Sequence, residues 1–217
     1  MSTELERTID SIVGDTVSSK LDTFAADLAD RLHSECAALV DQIRKTDAPN
    51  PSVSYDKLLE GLRSIQKASS VVEVAGALVD SAAIFCGRAG LLINKGDSLL
   101  GFRLAGVGTE DKADAFQELS IALLEAAAFE QAVDSSGSVV ASGSARDLSA
   151  SLVDLLALRS EDRVGLFPVR LRSKVLAVLY CDSKGGAGSS APLQSTAIEA
   201  LISSAEGWIE AVSTRKR

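Results

Sequence analysis

The residues that usually carry enzyme chemistry are few in this chain and lie far apart. Its 217 residues include a single histidine, His33, and three widely spaced cysteines, Cys36, Cys86 and Cys181. Nucleophilic catalysis needs a serine or cysteine beside a base. His33 lies in a predicted surface helix, so we do not expect it to pair with such a nucleophile. The chain also has no ligand cluster with zinc spacing. The sequence therefore predicts a protein that is not an enzyme and that holds no metal.

Two other patterns have a structural explanation. The stretch "GFRLAGVG", Gly101 to Gly108, is rich in glycine, but it lacks the Lys-Ser/Thr or G-x-G-x-x-G pattern of a phosphate-binding loop. We interpret it as a strand that ends in a turn. The adjacent acids Glu161 and Asp162 precede Arg163 in a predicted loop, where paired carboxylates are usually solvated.

The cysteines and the net charge limit the partners further. An odd number of distant cysteines fits neither a disulfide framework nor a paired metal site, and it favours reduced, buried thiols. A redox-sensing role for Cys181, at the end of a strand, is the alternative. A net charge of −8 argues against nucleic-acid binding, and "TRKR", Thr214 to Arg217, is interpreted as a cationic cap on the last helix.

The chain shows no sign of a membrane segment. No apolar run approaches the roughly 20 residues that span a bilayer, and "MSTELERTID" is polar and acidic where a secretory signal would be cationic and then apolar. The sequence predicts a cytoplasmic protein without membrane insertion.

A long N-terminal amphipathic helix is predicted over 5–43, where apolar residues recur every three or four positions. Prolines in "TDAPNPS", Thr46 to Ser52, interrupt this pattern. We therefore divide the chain into a helical extension, 1–50, and a domain, 51–217. A single apolar stripe must be buried, so the helix either lies along its own domain or mediates dimerisation.

The remaining chain alternates between helical and strand patterns. Helices are predicted over 55–67, 71–85 and 110–133, and a last helix over 193–212. A hairpin turns at Lys95-Gly96-Asp97, a short strand covers 139–143, and a helical turn lies at 152–156. The runs Val164 to Val169 and Val175 to Tyr180 are apolar without alternation, which indicates strands covered on both faces. The pattern predicts an α+β fold around a mostly antiparallel sheet.

The segment "VLAVLYCDSKGG" resembles the closing strand of a GAF domain, and "VGLFPVRLRSKVLAVLYCDS" is similar to that family's paired strands. "VVEVAGALVDSAAIFCGRAGLLINKGDSLLG" resembles its first long helix and first two strands. The likeness covers about 58–212, with Ala177 where glycine is common. The Asn-Lys-x-x-x-Phe-x-x-x-Asp-Glu signature of cyclic-nucleotide-binding members and the Cys-His pairing of bilin-attaching members are absent.

The resemblance implies helices on one face of the sheet and a ligand pocket on the other. By position, the candidate ligand-binding residues are Phe102, Arg103, Phe116, Arg146 and Tyr180. The alternative is that the aromatic residues belong to the core and the arginines to the surface. The apolar residues of 119–129 would then fill the pocket.

Two main functions follow from this resemblance. The first is a sensory or regulatory module that binds a small molecule or partner protein and signals through its terminal helices to a separate output protein. The second is a non-enzymatic dimeric scaffold with a degenerate, filled pocket. In both, the protein is expected to be a homodimer, and the identity of any ligand or cofactor stays open.

Overall fold

The computed structural model describes residues 51–135, 137–184 and 193–215. They belong to the second of two units, which begins at Pro51. The predicted helix over 5–43, together with His33 and Cys36, lies outside the described residues. So do 185–192, where the sequence predicts a flexible loop.

Two helices open the described chain: α1 (Pro51–Lys67) and α2 (Val71–Ala83). Helix α1 begins at Pro51, four residues before the predicted start. Proline is tolerated in the first turn of a helix, because the backbone N–H that it lacks would have no intrahelical partner there. Helix α2 begins as predicted. The Ser70 hydroxyl caps it by accepting a hydrogen bond of 3.2 Å from the backbone N–H of Glu73.

Six strands form one antiparallel sheet. They are β1 (Arg88–Asn94), β2 (Ser98–Ala105), β3 (Ser120–Ala122), β4 (Val139–Ser142), β5 (Arg163–Leu171) and β6 (Lys174–Asp182). Their order is β3-β2-β1-β6-β5-β4. The β1–β2 hairpin turns at the predicted place, where Lys95 N donates to Ser98 O at 2.9 Å and Gly96 adopts a φ of 105° that favours glycine.

The prediction of one helix over 110–133 is wrong. The segment forms α3 (Glu110–Gln117), strand β3, a 3₁₀ turn (Leu123–Glu125) and α4 (Ala127–Asp134). Strand β3 pairs with β2, and Ile121 is buried while its neighbours in the strand are exposed. The edge of β2 satisfies the backbone hydrogen bonds of these residues, which outweighs their helical spacing.

The rest of the chain follows the predicted order. Helices α5 (Ala145–Leu148) and α6 (Ala150–Leu156) precede the β5–β6 hairpin, and α7 (Ser195–Arg215) closes the described chain. The predicted strand near 139–143 is confirmed as β4, and the predicted turn at 152–156 lies within α6. The α+β architecture around an antiparallel sheet is confirmed.

The sheet is covered on both faces. Helices α1, α2 and α7 pack on one face over an outer cluster, whose bulky members are Ile65, Val74, Leu78, Val79, Phe85, Leu91, Phe167, Val169, Leu179, Ile198, Leu201, Ile202 and Ile209. The other face carries an inner cluster with bulky members Leu92, Leu99, Leu104, Phe116, Ile121, Phe129, Leu148, Leu152, Leu156, Val164, Leu166, Val178 and Tyr180. Strand β6 alternates between the two clusters, which explains its continuous apolar sequence.

Candidate functional site

Side chains of the chain itself fill the inner face of the sheet. None of the buried members of the inner cluster is more than 9% exposed. They come from the sheet and from the segments α3 to α6 that cover it. This face is therefore a packed core.

Phe116 is central to this packing, because the sheet carries glycines where the ring approaches it. A Cβ atom on Gly90 of β1 would lie 2.8 Å from Phe116 Cζ. A Cβ atom on Gly101 of β2 would lie 1.7 Å from the backbone oxygen of Phe116. Because neither glycine has a side chain, α3 can lie directly on the sheet. Phe116 then occupies the space that a ligand would need.

A buried polar network lies at the end of β6. The guanidinium of Arg88 donates to both carboxylate oxygens of Asp182, with Nε–Oδ1 and Nη2–Oδ2 distances of 3.0 and 2.7 Å. Arg88 Nη1 also donates to the backbone oxygen of Leu156 at 2.8 Å. Asp182 further accepts hydrogen bonds from the Tyr180 hydroxyl and from Lys184 N. Arg88 and Asp182 are 6% and 1% exposed, so the pair is shielded from water.

The electrostatics of this network fit a structural role. Burial raises the pKa of Tyr180 well above its usual value, and the Asp182 charge raises it further, so the hydroxyl stays protonated. Burial acts to lower the pKa of Arg88, but the hydrogen bonds and charge of Asp182 outweigh it and the pKa lies above its usual value. The network thus holds a neutral phenol and a fixed charge pair.

A second ion pair extends this network toward the loop after α6. Lys184 Nζ contacts Asp162 Oδ2 and donates to the backbone oxygen of Ala157 at 3.3 Å. Burial acts to raise the pKa of Asp162, but the hydrogen bond from Lys184 and the backbone N–H of Arg159 lower it overall. These contacts link the loop after α6 to Lys184, just after the end of β6.

The structure separates the five predicted ligand residues. Phe116 and Tyr180 lie together in the inner cluster, both fully buried, and Tyr180 pairs with Gly90, over which the Phe116 ring lies. Phe102 and Arg103 are on the outer face and Arg146 is exposed on α5. No single pocket brings these five residues together.

A β-bulge explains the position of Phe102 and Arg103. Strand β1 pairs Leu91 with Arg103 and Leu92 with Gly101, so Phe102 is the extra residue. Phe102 packs against the outer cluster, and Arg103 forms an ion pair of 2.8 Å with Asp80 of α2. Both side chains therefore lie on the outer face of the sheet.

This arrangement of layers matches solved structures. The GAF domain/HD domain protein from Geobacter sulfurreducens aligns over 70% of this chain and 98% of its own, with 15% identity and a TM-score of 0.53. The GAF domain of a phosphoenolpyruvate-protein phosphotransferase from Coxiella burnetii aligns over 77% and 97%, with 9% identity and a TM-score of 0.53. The chain has a GAF fold.

A third neighbour is the chromophore-binding domain of a bacteriophytochrome from R. palustris, which aligns over 79% of this chain and 64% of its own, with 8% identity and a TM-score of 0.57. No family model matches the sequence, and no curated protein matches it. The GAF fold is therefore established by the three-dimensional structure.

Sequence reasoning did not identify the Arg88–Asp182 pair of this GAF fold. The available signal was a charged residue at the end of each of two apolar strands, since burial of such strands requires a partner for each charge. Residues 88 and 182 are far apart in sequence, and the antiparallel pairing of β1 with β6 brings them together.

The two cysteines of the described residues are shielded from solvent. Cys86 and Cys181 are both fully buried. Burial raises the pKa of the Cys181 thiol, and the neighbouring Cys86 raises it further, which disfavours the reactive thiolate. The described residues contain no group of three or more potential ligands that could hold a metal ion. Nor do they include a helix long and apolar enough to cross a bilayer.

Proposed function

We propose that this protein is a non-enzymatic regulatory module with a GAF fold, which receives its input on its outer surface and passes it to a separate output protein. The observation that carries the proposal is the packed inner face, where Phe116 lies against Gly90 and Gly101. A small molecule could enter there only by displacing fully buried side chains. Input at another surface does not require that cost.

The outer helix layer supports a mechanism for passing on the input. Helices α1, α2 and α7 share the outer cluster, and Trp208 Nε1 on α7 donates to the backbone oxygen of Ala68, just after α1, at 2.8 Å. A shift of α7 would therefore change its packing on α1. A ligand or partner that binds one packing arrangement better than another shifts the population toward it.

The adjacent exposed valines Val71 and Val72 are a candidate contact for an output protein. They lie at the start of α2 and are 41% and 65% exposed. Exposed apolar side chains on a regulatory helix layer can be buried by another protein. The neighbours of known structure include a chromophore-binding domain of a bacteriophytochrome, which is consistent with a signalling role for the fold.

Native mass spectrometry of the full chain, purified gently from its expression host, tests the proposal. We expect no small molecule whose retention depends on the inner face of the sheet. A Phe116→Ala variant, which opens space on the inner face, serves as the control for detection, because an apolar cavity can bind a small apolar probe such as benzene. A small molecule retained by the wild type and lost from a variant with Leu92→Trp would contradict the packed inner face.

The second candidate is a dimeric scaffold, which the packed inner face also favours. The full chain is expected to be a homodimer through the apolar stripe over 5–43. Light scattering would then show a dimer for the wild type and a monomer for Leu21→Glu/Leu28→Glu, whereas Lys20→Glu should stay dimeric. A dimer that survives the double substitution would exclude the predicted helix as the interface.

A further inference from the structure

A cleft of about 580 Å³ opens at the turn end of the β5–β6 hairpin, and we call it the hairpin cleft. Its walls are the end of α4, the hairpin turn and one face of α7. Its charged lining residues are Asp134, Arg170, Arg172, Glu206 and Glu210, and Ser135 and Ser203 also line it. This cleft lies apart from the packed inner face.

Two arginines that line the hairpin cleft have guanidinium hydrogen-bond donors that remain available to a ligand. The backbone N–H of Arg170 donates to Glu206 Oε1 at 2.7 Å, while its guanidinium makes a hydrogen bond of 3.3 Å to the backbone oxygen of Ser135. Arg172 pairs with Glu210 at 3.4 Å, and these two side chains are 66% and 56% exposed. A guanidinium has five donors, and an exposed pair at this distance contributes little stability. Both arginines can therefore bind an incoming anionic group.

One face of α7 carries two glutamates, whose charge is opposite to that of the arginines, and a glycine that leaves volume for a ligand. Ser203, Glu206, Gly207 and Glu210 follow the spacing that places helix residues on one side. Glu206 and Glu210 accept these hydrogen bonds from the two arginines through Oε1, so Oε2 of each carboxylate can accept a hydrogen bond from a ligand. A Cβ atom on Gly207 would meet nothing within 4 Å, so the glycine leaves open volume between the two glutamates.

We infer that the hairpin cleft binds a small zwitterion of the free amino acid class. The carboxylate of the ligand lies at Arg170 and Arg172, and its ammonium group lies at Glu206 and Glu210. A simple anion would meet Asp134 and the two glutamates, and a simple cation would meet the two arginines, whereas a zwitterion pairs with both signs of charge. The inference rests on the proposed function, because a ligand beside α7 would be the input to the outer helix layer.

Thermal unfolding of the full chain with each common amino acid as probe tests this site. We expect at least one to raise the unfolding temperature, since a ligand that binds the native state stabilises it. Gly207→Leu should abolish that shift by filling the cleft, whereas Thr196→Leu, an exposed α7 position away from the cleft, should retain it. Titration calorimetry of Arg170→Gln should show affinity reduced by about tenfold or more, from loss of a charge-assisted bond.

Blocked derivatives separate a zwitterion site from a simpler one. The N-acetyl and the carboxamide forms of the best amino acid should each bind at least about tenfold more weakly. Equal binding of either form would overturn the inference, as would the absence of a shift with every amino acid or a shift that persists in Gly207→Leu. A negative screen together with a ligand-free native mass would refute this site alone, whereas a retained small molecule displaced by filling the inner face would refute the proposed function.

Discussion

Contact between Phe116 and Gly90 can be tested by a double-mutant cycle. In the wild type, a Cβ atom on Gly90 would lie 2.8 Å from Phe116 Cζ and 3.1 Å from Phe116 Cε2. The first distance is shorter than carbon atoms tolerate and the second is tighter than most carbon contacts, and both ring atoms belong to a fully buried side chain. The ring has little room to move away, so Gly90→Ala should overpack the core.

The expected cost of Gly90→Ala is about 1–3 kcal/mol in the free energy of unfolding, the usual range for overpacking. Phe116→Leu removes the two ring atoms that approach Gly90. In that background, Gly90→Ala should cost less than about 1 kcal/mol, because the clash is relieved and alanine loses less backbone entropy than glycine. The coupling energy between the two positions should therefore exceed about 1 kcal/mol.

Gly101→Ala is the matched control for this cycle. A Cβ atom on Gly101 would lie 1.7 Å from the backbone oxygen of Phe116, an atom that Phe116→Leu leaves in place. The cost of Gly101→Ala should therefore be large in both backgrounds. The contrast distinguishes a side-chain contact from a backbone contact at the same residue.

Urea denaturation provides the measurement. Trp208 is the single tryptophan of the chain and packs against the outer cluster, so its fluorescence reports loss of the fold. Far-ultraviolet circular dichroism provides the second probe of two-state unfolding. A Gly90→Ala cost that is the same in both backgrounds, within about 0.5 kcal/mol, would refute the packing of Phe116 on β1.

Three further predictions concern polar groups. Asp182→Asn leaves the buried Arg88 charge without its partner and should cost about 3–5 kcal/mol in urea denaturation, whereas Asp80→Asn, at the half-exposed pair with Arg103, should cost less than about 1 kcal/mol. In a Tyr55→Phe variant, ultraviolet titration should detect tyrosinate only as the chain unfolds, because burial raises the pKa of Tyr180; ionisation while circular dichroism stays native would contradict this. The hydrogen bond from the Ser142 hydroxyl lowers the pKa of Asp147. This bond therefore stabilises the folded protein fully above the unfolded carboxyl pKa near 3.9, and the stabilisation is lost as pH falls through the lower folded pKa. The stability difference between wild type and Ser142→Ala should therefore shrink below about pH 4, and a difference independent of pH would show that the hydroxyl acts in another way.

Local sequence patterns predicted much of the fold. The continuous apolar runs of β5 and β6 indicated burial on both faces, and the helical spacing over 71–85 indicated α2. Hydrophobic period and capping residues act over a few positions, so they can be recognised without a partner segment. The resemblance to GAF domains rested on those same strands, and the structure confirms that fold.

Tertiary contacts decided what the local patterns could not. The segment 119–122 has helical spacing, yet it forms β3 because the free edge of β2 is available to it. The bulge at Phe102 places both Phe102 and Arg103 on the outer face of the sheet, which alternation along a strand does not predict. Register and edge pairing depend on a second strand, so one segment does not reveal them.

At the inner face, too, the sequence predicted some features and tertiary packing decided others. The sequence identified Phe116 and Tyr180 as aromatic candidates and kept open whether they line a pocket or fill it. The packing of Phe116 depends on Gly90 and Gly101, which lie on two different strands, and Asp182 pairs with Arg88 of a neighbouring strand. Apolar period thus determined which residues face inward, whereas packing between distant segments decided that they fill the face, because close packing is a property of the assembled chain.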